Sequence, residues 1–330
     1  MPLHSRRTRA LLYQAILVSL LLGLGYWLLN NTLSNLRARG IQSGFDFLFD
    51  TAGFDIGESM VTYESTHAYW QAFVVGLLNT LRVSVLGIVI CTVWGTLLGL
   101  GRVSSNALAR GLCYGYTELF RNIPLLLQLF MWYVLLVEFM PDTDAPLHFN
   151  DWLFLSKGGL TMPWLMLVDG AWLWDVPVWR TVDGVGEVTG GASVTPEFLA
   201  LTWGLSLYTS AFVAELVRGG ITAVPRGQTE AAKSIGLSAW QTQRLVVLPQ
   251  AMRVVIPPLT NQYLNLIKNS SLAVAIGYPD LVNISNTTLN QTGRAVECIA
   301  IVMAVYLSLS LLTSALMNAY NRRMALKARG

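Results

Sequence analysis

Nearly uncharged apolar runs of membrane-spanning length constrain this chain first. A helix needs roughly 20 apolar residues to cross a hydrocarbon core of ~30 Å. Segments 10–29, 71–101, 123–140, 198–217 and 295–317 come close to that character, each carrying at most one charge, and Arg82 is the only one inside the longest of them. A soluble core does not require such runs. Charged residues make up 12% of the chain, against about 25% in soluble domains, so lipid is the solvent for much of it. A further run, 255–275, carries Pro257, Pro258, Asn261, Gln262, Asn265, Lys268, Asn269, Ser270 and Ser271. One side of such a helix must face protein or a watery path. These runs predict an all-α integral membrane protein with about six transmembrane helices.

The charges orient the helices. Segments 1–9, 101–122, 218–254 and 321–330 hold 15 of the 22 Lys and Arg residues, and basic loops stay cytoplasmic. The segment from Glu138 to Glu187 has eight acids against Lys157 and Arg180. Both termini are therefore expected in the cytoplasm. The organisation expected is an N-terminal transmembrane helix with a basic tail (1–30), an exposed periplasmic connection (31–70), a transmembrane domain (71–320) and a basic cytoplasmic tail (321–330). The transmembrane domain contains a periplasmic insertion at 141–195, read as a small cap or short interfacial helices. Its residues Trp152, Trp164, Trp172 and Trp174 suit an interfacial belt or ordinary packing. Cys91, Cys113 and Cys298 are scattered and read as small buried hydrophobes, and His4, His67 and His148 are too dispersed for a metal or catalytic cluster. A net charge of +3 does not suggest nucleic acid.

The polar stretch 229–249, TEAAKSIGLSAWQTQRLVVLP, interrupts the apolar C-terminal half. Thr229 is placed to cap a short helix with a small apolar face of Ala231, Ala232 and Ile235. Gly236 permits a turn that residues with a Cβ resist. Ser238 and Gln241 have capping-box spacing for a second short helix, closed by Leu248-Pro249. From the residues alone this is a basic cytoplasmic loop of two short helices, either solvated or shaped to dock a partner.

Here the residues resemble a known family. Glu230-Ala231-Ala232, three residues, Gly236, nine residues and Val246-x-Leu248-Pro249 are similar to the EAA loop of permease subunits of bacterial ABC importers, with Val246 where Ile is usual. Segment 118–129 (ELFRNIPLLLQL), segment 210–220 (SAFVAELVRGG) and segment 266–272 (LIKNSSL, Asn269 replacing a common Asp) resemble parts of the polar amino-acid permeases. The resemblance covers about 71–320, and chain length with the Trp-rich insertion is nearest to the broad-specificity L-amino-acid group. It implies a type I importer permease fold in the bacterial inner membrane and an ATPase-coupling loop at 219–250 containing Glu230, Ala231, Ala232, Gly236, Leu248 and Pro249. The partners implied are a homodimeric ABC ATPase, a second homologous permease, a periplasmic amino-acid-binding protein and membrane lipid. No Gly-x-x-x-x-Gly-Lys-Ser/Thr phosphate loop occurs, so ATP is expected on the partner ATPase, and no cofactor or catalytic cluster in this chain is expected. A self-sufficient secondary transporter or channel is the alternative; it calls for inverted repeats.

Four residues are candidates for a substrate path. Glu215 either pairs with Arg218 at helical spacing or meets a substrate ammonium. Arg82 either snorkels or pairs internally, or attracts a carboxylate. Thr80 and Ser84 share a helix face and serve helix-to-helix hydrogen bonds or substrate contact. Arg218 and Lys268 are read as gating or structural residues.

Overall fold

The computed structural model describes residues 6–38, 40, 43–150, 152–168, 171–182 and 185–326. The tail residues Lys327 and Arg329, and Asp151, Asp169 and Asp183 of the insertion, lie outside the described residues. The apolar runs become helices. α1 (Arg6–Ala38) is followed by α2 (Tyr69–Arg102), α3 (Ala107–Asn122) and α4 (Leu125–Glu138). After the insertion come α5 (Pro196–Thr222), α6 (Arg226–Ser234), α7 (Ala239–Thr242), α8 (Leu248–Asn269), α9 (Leu281–Thr292) and α10 (Ala295–Leu326).

Among the described residues, α1, α2, α5 and α10 are long and apolar enough to cross a membrane, and α3 with α4 makes a fifth crossing if the two form one span. The third expected span is thus not a straight helix. Pro124 forces Ile123 into an extended conformation (ψ 129°), and α3 and α4 meet at 105°. At 1.5 Å per residue, α4 alone reaches only ~21 Å. α8 falls short on composition: its polar residues, and Pro257 and Pro258 inside the helix, lower its apolarity. The 12-residue helix α9 was not foreseen. Asp280 caps its start by accepting from the Asn283 amide at 2.8 Å.

α2 is the central post, and its closest partner is α5. Gly95 and Gly99, one turn apart, let the backbones meet: a Cβ at either would sit 2.6 Å from the Cβ of Val213 or Val217 and 2.8 Å from a carbonyl of α5. Small residues at this spacing are how membrane helices pack without a hydrophobic driving force between them. The main core gathers Val83, Leu129, Leu201, Leu205, Val213 and Leu266 around this contact.

Two expectations are corrected. The segment 31–70 is not simply exposed: Phe47, Ala52 and Tyr69 form a second core with Leu281, Ile284 and Cys298, and the Gly44 amide donates to Glu297 Oε1 at 2.7 Å. The insertion is not helical, so the fold is mostly helical rather than all-α. Among its described residues it forms eight strands, β1 (Leu147–Phe149), β2 (Leu153–Ser156), β3 (Gly159–Met162), β4 (Trp164–Val168), β5 (Ala171–Asp175), β6 (Val178–Val182), β7 (Val185–Thr189) and β8 (Ala192–Val194). β1-β2-β3-β8 make an antiparallel sheet, and β4–β5 and β6–β7 are separate hairpins. Short runs of Trp, Val and Thr between glycines favour strands, because bulky and β-branched side chains fit a pleated surface. Trp152, Trp164, Trp172 and Trp174 are all exposed. Lys157 donates to Asp142 Oδ1 at 2.8 Å, which holds its ammonium above the usual lysine range.

Candidate functional site: two ion clusters and a projecting loop

The bundle has a cap end, where the strands lie, and a basic end, where α2 and α5 finish. The loop 223–247 leaves the basic end. α6 begins at Arg226 after Pro225, so Thr229 lies inside the helix and does not cap it. A proline at the N-cap sets the preceding chain extended and starts the helix four residues earlier than the Thr229 reading. α6 ends in a Schellman motif, with the Leu237 amide donating to the Ala232 carbonyl at 3.1 Å and the Gly236 amide to the Lys233 carbonyl at 2.9 Å. Gly236 supplies the left-handed residue this motif needs, at φ 85°. The capping box is present: Ser238 Oγ accepts from the Gln241 amide, and Gln241 Oε1 accepts from the Ser238 amide at 2.9 Å.

Leu248-Pro249 does not close the second helix. A wide π-turn over Gln243–Val247 carries the chain from α7 into α8, and Pro249 falls in the first turn of α8, where its missing N–H is tolerated. The small apolar face is also incomplete. Ala232 is buried, but Ala231 is exposed and Ile235 is 78% exposed. Trp240 is 70% exposed, and Glu230 is exposed as well. The loop is a capped element with an apolar surface uncovered by its own chain.

Glu215 sits above this loop in an arginine cluster. Its Oε2 accepts from Arg102 Nη1 at 2.5 Å, its Oε1 accepts from Arg218 Nη2 at 2.5 Å, and Arg121 lies at 3.9 Å. Arg102 also donates to Thr117 Oγ1 at 3.0 Å. The i,i+3 partner Arg218 was visible in the sequence; Arg102 and Arg121, on α2 and α3, were not.

Arg82 lies at the cap end. It donates to Glu58 Oε1 at 2.5 Å and lies 4.2 Å from the Phe198 ring centre. The other Glu58 oxygen accepts from Thr195 Oγ1 at 2.5 Å. Glu58, a member of a segment read as exposed, is the residue sequence reasoning missed; no local pattern distinguishes it from its acidic neighbours. Thr80 is fully buried and accepts from the Leu281 amide at 3.2 Å. Among the described residues, Ser84 is buried with no protein partner for its hydroxyl, as are Thr202 and Ser206 on α5. Lys268 is exposed at the edge of a cavity of about 300 Å³ shared with Ser271 and Tyr306. The structure therefore joins Glu215 to Arg218 and places Arg82 and Thr80 elsewhere, each with its own partners.

Residues 87–326 match the family described as the binding-protein-dependent transport system inner membrane component. The chain belongs to this family. Over 97% of its length this permease is 44% identical to the permease protein YhdX of Escherichia coli (strain K12), covering 95% of that protein. Over 99% of its length it is 40% identical to the general L-amino acid transport system permease protein AapQ of Rhizobium johnstonii, again covering 95% of the relative. A crystal structure of an amino acid ABC transporter with histidines matches at a TM-score of 0.57 and 27% identity, over 77% of this chain and 95% of that one. The permease is a multi-pass inner-membrane protein of mostly helical fold.

Proposed function

We propose that this permease carries L-amino acids across the inner membrane as one half of an ABC importer, driven through the loop 219–250 by a separate ATPase. The observation that carries the reading is the capped, projecting element itself. Its Schellman turn and capping box fix the geometry of α6 and α7, while Ile235 and Trp240 remain exposed. Buried aromatic and aliphatic anchors surrounded by polar rims dominate protein interfaces. Glu230 adds a charge beside them. Two relatives of high coverage, one named for general L-amino acid transport and one for glutamate, glutamine, aspartate and asparagine transport, support amino acids as the substrate class.

In this reading α1, α2, the bent α3–α4 pair, α5, α8 and α10 are the six passes. The basic end is cytoplasmic, and a second homologous permease completes the path. A homodimeric ATPase docks below, and a periplasmic binding protein docks at the cap end. Of the path candidates, Ser84 keeps a free hydroxyl for a ligand. Thr80 and Arg82 act by holding α9 and the 58–195 strut in place. A substrate ammonium reaching Glu215 would have to share it with Arg102 and Arg218, so Glu215→Gln should change KM for uptake; an unchanged KM removes it from the path. Lys268 and Arg218 remain gating candidates.

Uptake of labelled amino acids in cells tests the coupling claim. Gly236→Asp and Glu230→Arg should each lower uptake at least ~10-fold, the equivalent of one lost interface anchor, at unchanged membrane level. Transport that survives both substitutions overturns the coupling role.

A further inference from the structure

The arginines of the basic end outnumber what Glu215 can neutralise, and they line a cavity. Arg102, Arg110 and Arg218 converge on a space of about 430 Å³ completed by Ala107, Gly111 and Tyr114. Glu215 pairs with two of the three guanidinium groups. Among the described residues, no carboxylate lies within ion-pair range of Arg110, whose Nη1 donates to the Ser104 carbonyl at 3.0 Å. Three like charges against one carboxylate are unfavourable unless an anion joins them, and the planar guanidinium fork matches phosphate oxygens. Glu215 has a second effect: by fixing Arg102 and Arg218 through a few of their N–H groups, it leaves the remaining donors preorganised around the cavity.

The wall of the cavity indicates what carries the phosphate. α3 has two distinct faces. Leu108, Leu112 and Leu119 are exposed and fall within about 40° of one another at 100° per residue. Ala107, Gly111 and Tyr114 turn toward the flank where the cavity opens, and the two small residues leave the mouth low. An amphiphile with its headgroup among the arginines would therefore have a leucine stripe beside it for its acyl chains. A soluble phosphate uses only the first of these features. We infer that this cavity binds the phosphate of an anionic phospholipid, with the chains lying along α3. Basic pockets between transmembrane helices suit such headgroups. The site lies one turn of α5 before Thr222 and the projecting loop, so an occupant would brace the junction between the bundle and that loop.

Thermal unfolding of the detergent-solubilised complex, followed by tryptophan fluorescence, tests the inference alongside native mass spectrometry of bound lipid. Phosphatidylglycerol should bind and raise Tm more than phosphatidylcholine at equal mole fraction. Arg110→Gln should weaken phosphatidylglycerol binding ~5-fold, the effect of one arginine near an anionic headgroup. Arg110→Lys should retain most of it, and Arg253→Gln, an equal charge loss at the same end, should leave it unchanged. Arg110 has no ion pair to orphan, so its substitution is compatible with folding, and the comparison of lipids in the native protein is independent of any variant. Three results would each overturn the inference: equal response to phosphatidylcholine, full phosphatidylglycerol binding by Arg110→Gln, or the whole response reproduced by inorganic phosphate alone.

Discussion

Two carboxylates stand at opposite ends of the α2–α5 pair, and their surroundings differ in every respect that decides what a buried charge does. Glu58 has 6% of its side chain exposed and meets one cation, Arg82. Its second oxygen goes to Thr195, and its backbone carbonyl accepts from Asn79 at 2.8 Å. The cluster is neutral and closed at the carboxylate, while Arg82 keeps 23% of its side chain exposed and a cavity of about 380 Å³ adjoins Glu58 and Thr195. Glu215 is 29% exposed and has three arginines around it, leaving net positive charge beside an open cavity. A closed neutral cluster holds a loop to a bundle. An open, positively charged one is poised to take a further anion or to rearrange, and it is Glu215 that adjoins the projecting loop. Energetically the two also differ: the first depends on desolvated pairing, the second on screened interactions among several charges.

The largest expected effect comes from breaking the closed cluster. Glu58→Gln leaves Arg82 with the Phe198 ring and no counter-charge, and removing one partner of a buried pair costs about 3 kcal/mol. Thermal unfolding in detergent should show the loss at low and high salt nearly alike, because the Glu58 carboxylate is buried away from solvent ions. The double change Glu58→Leu with Arg82→Met should recover most of that stability, since a buried pair replaced by apolar groups of similar size is often neutral. A mild or strongly salt-dependent loss in the single variant would mean that the strut is wetter than its geometry indicates.

Glu215→Gln is expected to cost less, about 1.5 kcal/mol, the lower range for hydrogen bonds to charged groups. Here the sign of the salt dependence is the sharper readout. Without the carboxylate, Arg102, Arg121 and Arg218 repel one another. Raising ionic strength from 0.1 M to 1 M shortens the screening length from ~10 Å to ~3 Å, so the deficit should shrink. A deficit that is constant with salt would make the two ends alike and remove the contrast.

The same contrast shows what could be read from the residues beforehand. The long apolar helices and their polarity followed from runs of side chains, because solvation acts locally along the chain. The turn at Gly236 and the capping box at Ser238 were legible for the same reason: each is closed by atoms only a few residues apart. Contacts across the fold were not. Glu58 to Arg82 spans a loop and a helix, and Arg102 meets Glu215 across 113 residues. Gly95 and Gly99 stand one turn apart in α2 but reveal their role only once Val213 and Val217 face them. The strands of the insertion did have a local signal, in the β-branched and aromatic residues of Val178–Val182 and Val185–Thr189. It was outweighed by the helical context on either side. α9 had little apolar signal at all, since Asn283, Asn286, Thr287, Asn290 and Gln291 occupy much of its length.

Arg121 should give the smallest effect and the finest test. It stands 3.9 Å from Glu215 and is 35% exposed, with the Phe212 ring centre 5.5 Å away. An exposed pair at that distance is worth about 0.5 kcal/mol or less, so Arg121→Gln alone should barely move the unfolding midpoint. In the Glu215→Gln background the sign should reverse. The arginine then faces only like charges, and its removal should return part of the stability that variant lost. This double-mutant cycle isolates the pair from the rest of the cluster. A loss above ~1.5 kcal/mol for Arg121→Gln, with no reversal, would mean that all three arginines are locked onto Glu215 as tightly as Arg82 is onto Glu58. The basic end would then be a second closed strut, and the excess charge beside the cavity would already be spoken for.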